Sequence, residues 1–437
     1  MLRLAIISVH GSPLAKPGGR ETGGMNVYIR ESSRELSDLG IAVDVFTRWQ
    51  DPHLPPVVEF AEHARVIHLK AGEVGPVAKG DLYSHLPEFL HNLRRFKEEH
   101  GLHFDLLHSH YWLSGWVGCR LRCRWQVPHV AMFHTLGQVK NRARLGENEP
   151  PFRIEAEGKI IRAADKVIAA TPHERGLMQR YYGAPAHKIE IIPCGVDLER
   201  FRPLDRVAAR SMLGLSGERI ILFVGRIEPL KGVDILLRAF AMLEDQSSVR
   251  LAIVGGDGGK DKEVGKLRAL ARELGVGQRV TFLGSLDHSL LPQVYAAADV
   301  CVVPSYYESF GLVALEAMAC GRPVIASRVG GLQSTVRDGE TGFLIPWHCP
   351  EPFAEHLDLL LRNERLREQF GRAARQAVER FSWRAISQSL VAVYEDLLGE
   401  KVAAHSAAGC CCGPASGWGK QRHVHAAGRG TAACCIV

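Results

Sequence analysis

Halfway along the 437-residue chain stands the stretch Arg219-Ile220-Ile221-Leu222-Phe223-Val224-Gly225-Arg226, an apolar run that ends in glycine and arginine. Short apolar runs alternate with amphipathic stretches on both sides of it, and this alternation is typical of strands and helices in parallel sheets. The other predicted strands are Leu4–Val9, Ala42–Phe46, Leu106–His108, Val130–Phe133, Lys166–Ala170, Ile189–Ile192, Arg250–Val254, Arg279–Phe282, Val300–Val303 and Pro323–Ala326. The pattern therefore predicts an α/β protein with two doubly wound sheets.

Turn residues interrupt the series of strands near Phe201-Arg202-Pro203. We therefore predict an N-terminal Rossmann-like domain over residues 1–203 and a second Rossmann-like domain over 204–383, followed by a helix over 384–401 and a disordered tail over 402–437. Ligands of doubly wound sheets bind at the carboxyl ends of the strands. Two such domains facing each other predict an active site in the cleft between them.

Composition narrows the class of protein. Hydrophobic residues make up 46% of the chain and charged residues 23%, which are ordinary values for a globular protein and exclude wholesale disorder. The net charge of +6 is spread along the chain, so we expect no nucleic-acid partner. The sequence shows no signal peptide, no apolar window of the ~18 residues that span a membrane and no disulfide framework. We therefore expect a cytoplasmic protein. The sequence does not decide whether the protein forms a homodimer.

Two groups of residues in the second domain indicate a nucleotide site. Arg226 and Lys231 place two cations at the end of a predicted strand, where they suit a diphosphate. Farther on, Glu308-Ser309-Phe310-Gly311-Leu312-Val313-Ala314-Leu315-Glu316 sets two glutamates eight residues apart. If the second half is helical, Glu316 lies about one turn from a helix N-terminus and its carboxylate can accept hydrogen bonds from a ribose diol. The alternative is a pair of surface glutamates that flank a core helix.

Polar motifs in the first domain also follow predicted strands. Gly23-Gly24 begins a predicted helix, which suits an anion or simply a tight strand–helix junction. His108-Ser109-His110-Tyr111-Trp112 suits a sugar pocket or plain packing of the cleft, and Phe133-His134-Thr135 is followed by Lys140, which suits a phosphate. We expect no metal at His108 and His110. No cysteine or carboxylate lies nearby at metal-ligand spacing, and we expect the two side chains to point to opposite faces of the strand.

Together, Gly225-Arg226, Lys231-Gly232 and the glutamates Glu308 and Glu316 resemble the signature of the retaining, nucleotide-sugar-dependent glycosyltransferases of family 4. Proteins of that family have the GT-B fold, in which two Rossmann-like lobes face each other across a cleft. The resemblance covers about residues 1–400. It implies transfer of a hexosyl unit from a nucleotide sugar, such as UDP-N-acetylglucosamine or UDP-glucose, to a phosphorylated small-molecule acceptor. It also implies no cofactor and no essential divalent metal, and the sequence contains no Asp-x-Asp motif.

The resemblance implies roles for individual residues. The residues implied to bind the acceptor and its phosphate are Asn26, Lys79, Tyr111, Thr135 and Arg153. The residues implied to bind the donor are Gly24, Arg226, Lys231, Glu308, Phe310, Gly311, Leu312 and Glu316. The implied catalytic residues are His134, beside the reacting centre, and Glu308. Within the family, the N-terminal motifs resemble members that use inositol phosphate, whereas Gly137 resembles members that use fructose 6-phosphate.

Two other classes of function remain as alternatives. A sugar-nucleotide epimerase on the same scaffold would act without a sugar acceptor. A non-catalytic module that binds a membrane surface is suggested by Cys119-Arg120-Leu121-Arg122-Cys123-Arg124-Trp125, which mixes basic and aromatic residues. Most such runs are solvated helix faces, so we expect no membrane contact.

Overall fold

The computed structural model describes residues 1–15, 23–78, 80–143, 148–212, 214, 218–245, 248–256, 262–346 and 349–405. Its strands are β1 (Arg3–Ile7), β2 (Ala42–Arg48), β3 (Val57–Ala61), β4 (Ala64–Leu69), β5 (Leu106–His110), β6 (His129–Met132), β7 (Lys166–Ala169), β8 (Ile189–Ile191), β9 (Arg219–Val224), β10 (Val249–Val254), β11 (Val280–Gly284), β12 (Val300–Val303), β13 (Val324–Ser327) and β14 (Gly342–Ile345). Its helices are α1 (Gly24–Asp38), α2 (Leu86–Glu99), α3 (Tyr111–Trp125), α4 (Gly137–Arg142), α5 (Pro151–Ala163), α6 (Pro172–Tyr182), α7 (Arg206–Met212), α8 (Val233–Ala241), α9 (Lys262–Glu273), α10 (Leu291–Ala297), α11 (Leu312–Ala319), α12 (Leu332–Thr335), α13 (Pro350–Arg362), α14 (Glu364–Ala377) and α15 (Trp383–His405).

The first lobe is built on one sheet with the strand order β3-β4-β2-β1-β5-β6-β7-β8. Neighbouring strands run parallel except for β3, which pairs antiparallel with β4. The direction of winding reverses between β1 and β5, and ligands of doubly wound sheets bind at such a reversal. Residues that follow Ile7 and His110 therefore lie at one crevice.

The second lobe repeats this plan in a parallel sheet with the order β11-β10-β9-β12-β13-β14. Its winding reverses between β9 and β12, so residues that follow Val224 and Val303 share a second crevice. The predicted boundary at residue 203 lies in the segment that joins β8 to α7. That segment runs beside the one before α15, where Val196 N donates to Phe381 O at 2.8 Å.

Continuous apolar runs form the inner strands because helices cover both faces of each sheet. Residues Leu4–Ile7 of β1 and Val300–Val303 of β12 are at most 5% exposed. One buried cluster contains residues of both lobes and of the final helix, among them Tyr28, Phe310 and Trp383. The two lobes therefore share apolar contacts in addition to the cleft.

The final helix departs from its predicted bounds and returns to the first lobe. It extends to His405, so the prediction that the tail begins at residue 402 was wrong, and residues 406–437 lie outside the described residues. The ring of Trp383 packs edge-on against Tyr28, with centroids 5.5 Å apart, and Arg384 lies 3.8 Å from Glu35. Contact with α1 places this helix beside the first lobe, although it follows the second lobe in the sequence.

Three strands were absent from the sequence prediction. β3 and β4 form a hairpin at the edge of the first sheet, where β3 is only half-buried and lacks a continuous apolar run. β14 follows the turn Asp338–Thr341. Because this turn is polar and the strand has only four residues, the sequence pattern did not indicate a strand over Gly342–Ile345. Each missed strand lies at or next to a sheet edge, where the apolar signal of a buried strand is weakest.

Candidate active site

The two crevices open into one cleft between the lobes, with a cavity volume of about 410 Å³. Its first-lobe wall includes Asn26, Tyr111 and His134, and its second-lobe wall includes Lys231 and Glu308. A cavity of this size accommodates a small-molecule ligand. Most of the residues implied by the sequence motifs are thus brought to one place from segments that are far apart in the chain.

Two ion pairs hold the predicted cations on the second-lobe wall. Lys231 Nζ lies 2.6 Å from Glu308 Oε2, and both side chains are mostly buried. Arg226 Nη1 lies 2.7 Å from Glu228 Oε1, and 45% of the arginine side chain is exposed. The cleft therefore offers an ammonium group and a guanidinium group whose charges are balanced by neighbouring carboxylates.

The N-terminus of α11 lies at the same wall. Gly311 precedes the helix with φ +96°, a conformation that favours glycine, and no side chain caps the first turn. Within the described residues, the N–H groups of Leu312 and Val313 have no hydrogen-bond partner, and both residues line the cleft. Unpaired N–H groups at a helix N-terminus stabilise an anion. Phe310 and Gly311 line the cleft beside them.

Glu316 is held by two residues from the helix and turn next to α11. Tyr295 OH donates to Glu316 Oε2 at 2.8 Å, and His288 Nε2 lies 3.2 Å from Glu316 Oε1. Arg200 Nη1 donates to His288 Nδ1 at 3.0 Å. Because a guanidinium only donates, neutral His288 carries its proton on Nε2 and donates to Glu316. Each carboxylate oxygen keeps acceptor capacity for a further donor, such as a diol.

Gly330 and Gly331, which form an ordinary turn by sequence, support the loop that carries Glu308. Gly331 N donates to Glu308 O at 2.9 Å. Gly330 has φ +47°, and a Cβ atom there would lie 1.9 Å from Glu308 O. A Cβ atom on Gly331 would lie 2.3 Å from Ser309 O. The position of Glu308 therefore depends on two residues without side chains.

Gly330→Ala is expected to destabilise the protein by about 2 kcal/mol, because it adds a backbone clash to an unfavourable φ. Ligand binding in the cleft should weaken as well, since the clash displaces Glu308. Urea denaturation measures the loss of stability. The matched control is Gly339→Ala, which has φ +73° but open space around the added Cβ. The control should cost only roughly 1 kcal/mol, and equal losses in the two variants would contradict the assignment of a clash.

The first-lobe wall contains two strained residues. His134 follows β6 with φ +60°, and Tyr111 follows β5 with φ +75°. Residues other than glycine rarely adopt this conformation, and it clusters at functional sites. Both side chains line the cleft. Burial lowers the pKa of His134 to about 3, so its imidazole is neutral at physiological pH.

His108 and His110 lie on the same face of β5, with ring centroids 4.3 Å apart. The expectation that they point to opposite faces was wrong, because residues two apart on a strand share a face. His108 Nδ1 lies 2.7 Å from Tyr394 OH, and His110 Nδ1 lies 2.9 Å from His134 Nε2. Burial lowers the pKa of His108 to about 3 and lowers the pKa of His110 well below its ordinary value. The histidines therefore form a buried, neutral row that ends at the cleft.

Arg153 is only 1% exposed and holds together the first-lobe wall of the site. Its Nε donates to Glu157 Oε1 at 2.8 Å, and its Nη2 donates to Thr135 O at 3.0 Å and to Thr135 Oγ1 at 3.2 Å. Its Nη1 lies 2.7 Å from Glu149 Oε1, and its guanidinium carbon lies 4.8 Å from the centroid of the Tyr111 ring. Tyr111 and Thr135 line the cleft, whereas Arg153 lies behind them.

Arg153→Met is expected to lower the free energy of unfolding by roughly 3 kcal/mol, because it leaves a fully buried carboxylate without its cation. That carboxylate belongs to Glu157, which is 0% exposed. Urea denaturation of Arg153→Met, Glu157→Gln and the double variant measures the coupling between the two side chains. The double variant should be more stable than Arg153→Met. A double variant that is less stable by the sum of both losses would contradict a buried ion pair.

Asn26 and Gly24 lie where α1 begins. Asn26 Nδ2 donates to Ser12 O at 2.8 Å, and its side chain is buried at the edge of the cleft. A Cβ atom on Gly24 would lie 2.9 Å from Leu312 Cδ1 in the second lobe. The glycine therefore permits a close approach between the first lobe and the N-terminus of α11.

Of the two lysines considered for binding a phosphate, Lys79 lies outside the described residues. Lys140 lines the cleft and forms an ion pair with Glu149. Glu149 therefore contacts both Lys140 and Arg153. An anion that binds at Lys140 competes with this carboxylate.

Three observations concern metal binding and the membrane-binding alternative. Among the described residues, no group of three or more His, Cys, Asp or Glu side chains is arranged to hold a metal ion. No helix in the described ranges is long and apolar enough to cross a membrane. The basic run of α3 makes contacts within the protein, since Arg120 lies 3.3 Å from the centroid of Trp116 and Arg122 pairs with Asp165 at 2.5 Å.

Sequence reasoning missed the residues that support the site from behind. These residues are Glu149, Glu228, His288, Tyr295 and His110 in its contact with His134. The contacts of His288, Tyr295 and His110 each join segments more than 20 residues apart, so no local motif marks them. Only His110 carried a signal, because polar residues inside an otherwise apolar strand are unusual unless they have partners.

Comparison with known proteins gives consistent matches over most of the chain. The family described as Glycosyltransferase Family 4 matches residues 22–200, and the family described as Glycosyl transferases group 1 matches residues 208–377. The D-inositol 3-phosphate glycosyltransferase of Nocardia farcinica is 46% identical over 408 residues, which cover 91% of this chain and 90% of the relative. D-inositol 3-phosphate glycosyltransferase 2 of Catenulispora acidiphila is 45% identical over 402 residues, 90% of this chain and 94% of the relative.

Solved structures agree with the fold. Sucrose-phosphate synthase from Thermosynechococcus elongatus superposes with a TM-score of 0.85 at 38% identity, covering 92% of this chain and 100% of that structure. The Anabaena protein HepE, solved with UDP and glucose, superposes with a TM-score of 0.73 at 21% identity, covering 91% of this chain and 100% of that structure. The predicted pair of Rossmann-like lobes is thus confirmed, and the chain belongs to the family 4 glycosyltransferases of the GT-B fold.

Proposed function

We propose that the enzyme transfers a hexosyl unit from a nucleoside diphosphate sugar to a phosphorylated polyol, with a UDP-sugar and inositol phosphate as the first candidates. The observation that carries the proposal is the placement of cations on both walls of one cleft. Arg226 and Lys231 suit a diphosphate on one wall, and Lys140 with the Arg153–Thr135 contact suits a single phosphate near the other. The names of the curated relatives support the acceptor.

The proposed reaction retains the configuration of the anomeric carbon. The acceptor hydroxyl attacks from the face on which the diphosphate leaves, so a new bond forms from the acceptor oxygen to the anomeric carbon as the bond to the phosphate oxygen breaks. The hydroxyl proton passes to an oxygen of the leaving phosphate. The protein then needs no separate base, and Arg226, Lys231 and the N-terminus of α11 stabilise the charge that develops on the diphosphate.

In this proposal Glu316 binds the ribose and Glu308 binds the hydroxyls of the transferred sugar. Asn26 binds the acceptor ring, and His134 lies beside the reacting centre. No cofactor and no divalent metal is required, because two cations and a helix N-terminus neutralise the diphosphate. We place the reaction in the cytoplasm, where the free thiols of the described cysteines stay reduced.

Transfer to fructose 6-phosphate is the second candidate, and it is favoured by Gly137 and by the likeness to sucrose-phosphate synthase. Gly137 N donates to both carboxylate oxygens of Glu157, at 3.1 and 3.0 Å. A Cβ atom on Gly137 would lie 3.2 Å from Arg153 Nε. This residue therefore adjusts the guanidinium implied in phosphate binding, and a choice between acceptors depends on it.

A donor-by-acceptor panel, followed by mass spectrometry of the products, tests the proposal. The donors are UDP-N-acetylglucosamine, UDP-glucose and GDP-mannose, each with inositol phosphate, unphosphorylated inositol or fructose 6-phosphate. We expect a product in which the phosphorylated acceptor carries the transferred sugar, and its formation should continue in EDTA. Nucleotide release that does not depend on any acceptor, or equal use of unphosphorylated inositol, would contradict the proposed function.

A further inference from the structure

His134 is held at one ring nitrogen and open at the other. Its Nε2 lies 2.9 Å from His110 Nδ1, and the edge of Tyr28 packs against the ring with centroids 5.4 Å apart. Among the described residues, His134 Nδ1 has no hydrogen-bond partner, and the His134 side chain lines the cleft. Nδ1 is therefore the ring nitrogen that remains for a ligand in the cleft.

The surroundings of His110 decide which of the two rings donates. His110 is 0% exposed, and within the described part of the chain its Nε2 is buried without a partner. Burial keeps both rings neutral, so each carries a single N–H group. A proton on His110 Nε2 would be a buried donor without an acceptor, which is rarer and more costly in proteins than an unused lone pair. The proton of His110 therefore lies on Nδ1 and is donated to His134 Nε2.

We propose that His110 is a positioning residue that fixes His134 as the Nδ1–H tautomer, so that a hydrogen-bond donor faces the substrates. A donor at this place suits an oxygen of the transferred sugar or of the leaving diphosphate. Without the contact, the imidazole returns toward the Nε2–H tautomer that free histidine favours in water. The effect on turnover rests on the proposed function, whereas the tautomer does not.

The row behind His110 restricts its movement. The ring of His108 packs against it with centroids 4.3 Å apart, and His108 Nδ1 lies 2.7 Å from Tyr394 OH on α15. His134 itself has φ +60°, so the backbone also sets the direction of its side chain. Packing of this kind fixes the geometry of a hydrogen bond without contact to substrate.

The test combines nitrogen NMR of the full-length enzyme with steady-state kinetics. Ring 15N shifts of labelled histidine distinguish the two tautomers, and the signals of His134 are assigned by their loss in His134→Asn. We expect the Nδ1–H tautomer in the wild type. His110→Leu removes the donor, should move His134 toward the Nε2–H tautomer and should lower kcat by about 10- to 100-fold with KM nearly unchanged. His110→Asn keeps an N–H donor at this position and should restore most of kcat.

His129→Leu is the matched control, because His129 is equally buried on β6 and donates to or accepts from Ser109 Oγ at 2.7 Å, away from His134. The control should keep the wild-type tautomer and kcat. A wild-type His134 with its proton on Nε2 would overturn the proposal, as would an equal loss of kcat in the control. If His110→Leu does not fold, the His134 tautomer in the wild type and the kcat of His110→Asn test the proposal. If no donor and acceptor pair reacts, the tautomer still tests this inference separately.

Discussion

Lys231→Met is expected to lower kcat/KM for the nucleotide sugar by about 10²- to 10³-fold. Methionine keeps the apolar stem of the side chain but removes the ammonium group that lies 2.6 Å from Glu308 Oε2. The leaving diphosphate then loses a nearby cation, and the unpaired carboxylate of Glu308 adds negative charge to the same wall. Steady-state kinetics with the donor found in the panel, together with calorimetric titration of UDP, measures the loss.

Lys266→Met is the control for this prediction. Lys266 Nζ also lies 2.6 Å from a carboxylate oxygen, of Glu263, but its side chain is 65% exposed on α9 and does not line the cleft. The control should keep wild-type kinetics. Equal losses in Lys231→Met and Lys266→Met, or wild-type kinetics in Lys231→Met, would remove Lys231 from the site.

Glu308→Gln should lower turnover with little change in the free energy of unfolding.

Acid is expected to destabilise the protein strongly, because burial lowers the pKa of several histidines of the first lobe. The pKa falls to about 3 for His108 and His134 and to about 4 for His129, and it falls well below 6.5 for His110. As the pH drops below 6.5, the unfolded chain binds protons on these rings and the folded chain does not. Each ring then costs about 1.4 kcal/mol of stability per pH unit.

Buried carboxyl groups act in the opposite direction, and burial raises the pKa of both Glu157 and Glu174. Burial raises the pKa of Glu174 to about 7, so the folded chain binds this proton first and gains stability as the pH falls toward 4.5. The four buried histidines have the larger effect, and we expect a net loss of stability on the order of a few kcal/mol between about pH 7.5 and about pH 5.

Urea denaturation at a series of pH values measures this loss. His129→Gln should reduce the pH dependence by about one proton, because a glutamine does not titrate. Equal free energies of unfolding at the two ends of the pH range would show that the buried imidazoles do not control acid stability.

The second-lobe wall of the site was predictable because its residues are local in the sequence. Gly225-Arg226 ends a strand, Lys231 follows within one turn, and Glu308 and Glu316 flank the start of one helix. In such segments the spacing of residues along the chain determines which side chains share a face. The same logic, applied wrongly to His108 and His110, hid the row of imidazoles behind the cleft.

The rest of the site depends on contacts that only the folded chain creates. Glu149 reaches Lys140 and Arg153 from a neighbouring loop, and Tyr394 reaches His108 from the far end of the chain. No propensity or spacing in the sequence predicts that the last helix returns to the first lobe. Burial of its apolar face against α1 drives that return.

The crystal structure of the full chain with uridine diphosphate is the most direct measurement of the central claim. We expect the β-phosphate within hydrogen-bond distance of Arg226, Lys231 and the N–H groups of Leu312 and Val313, with the ribose at Glu316. Density for the nucleotide elsewhere, or no density at a saturating concentration, would contradict the claim that this cleft binds the sugar donor.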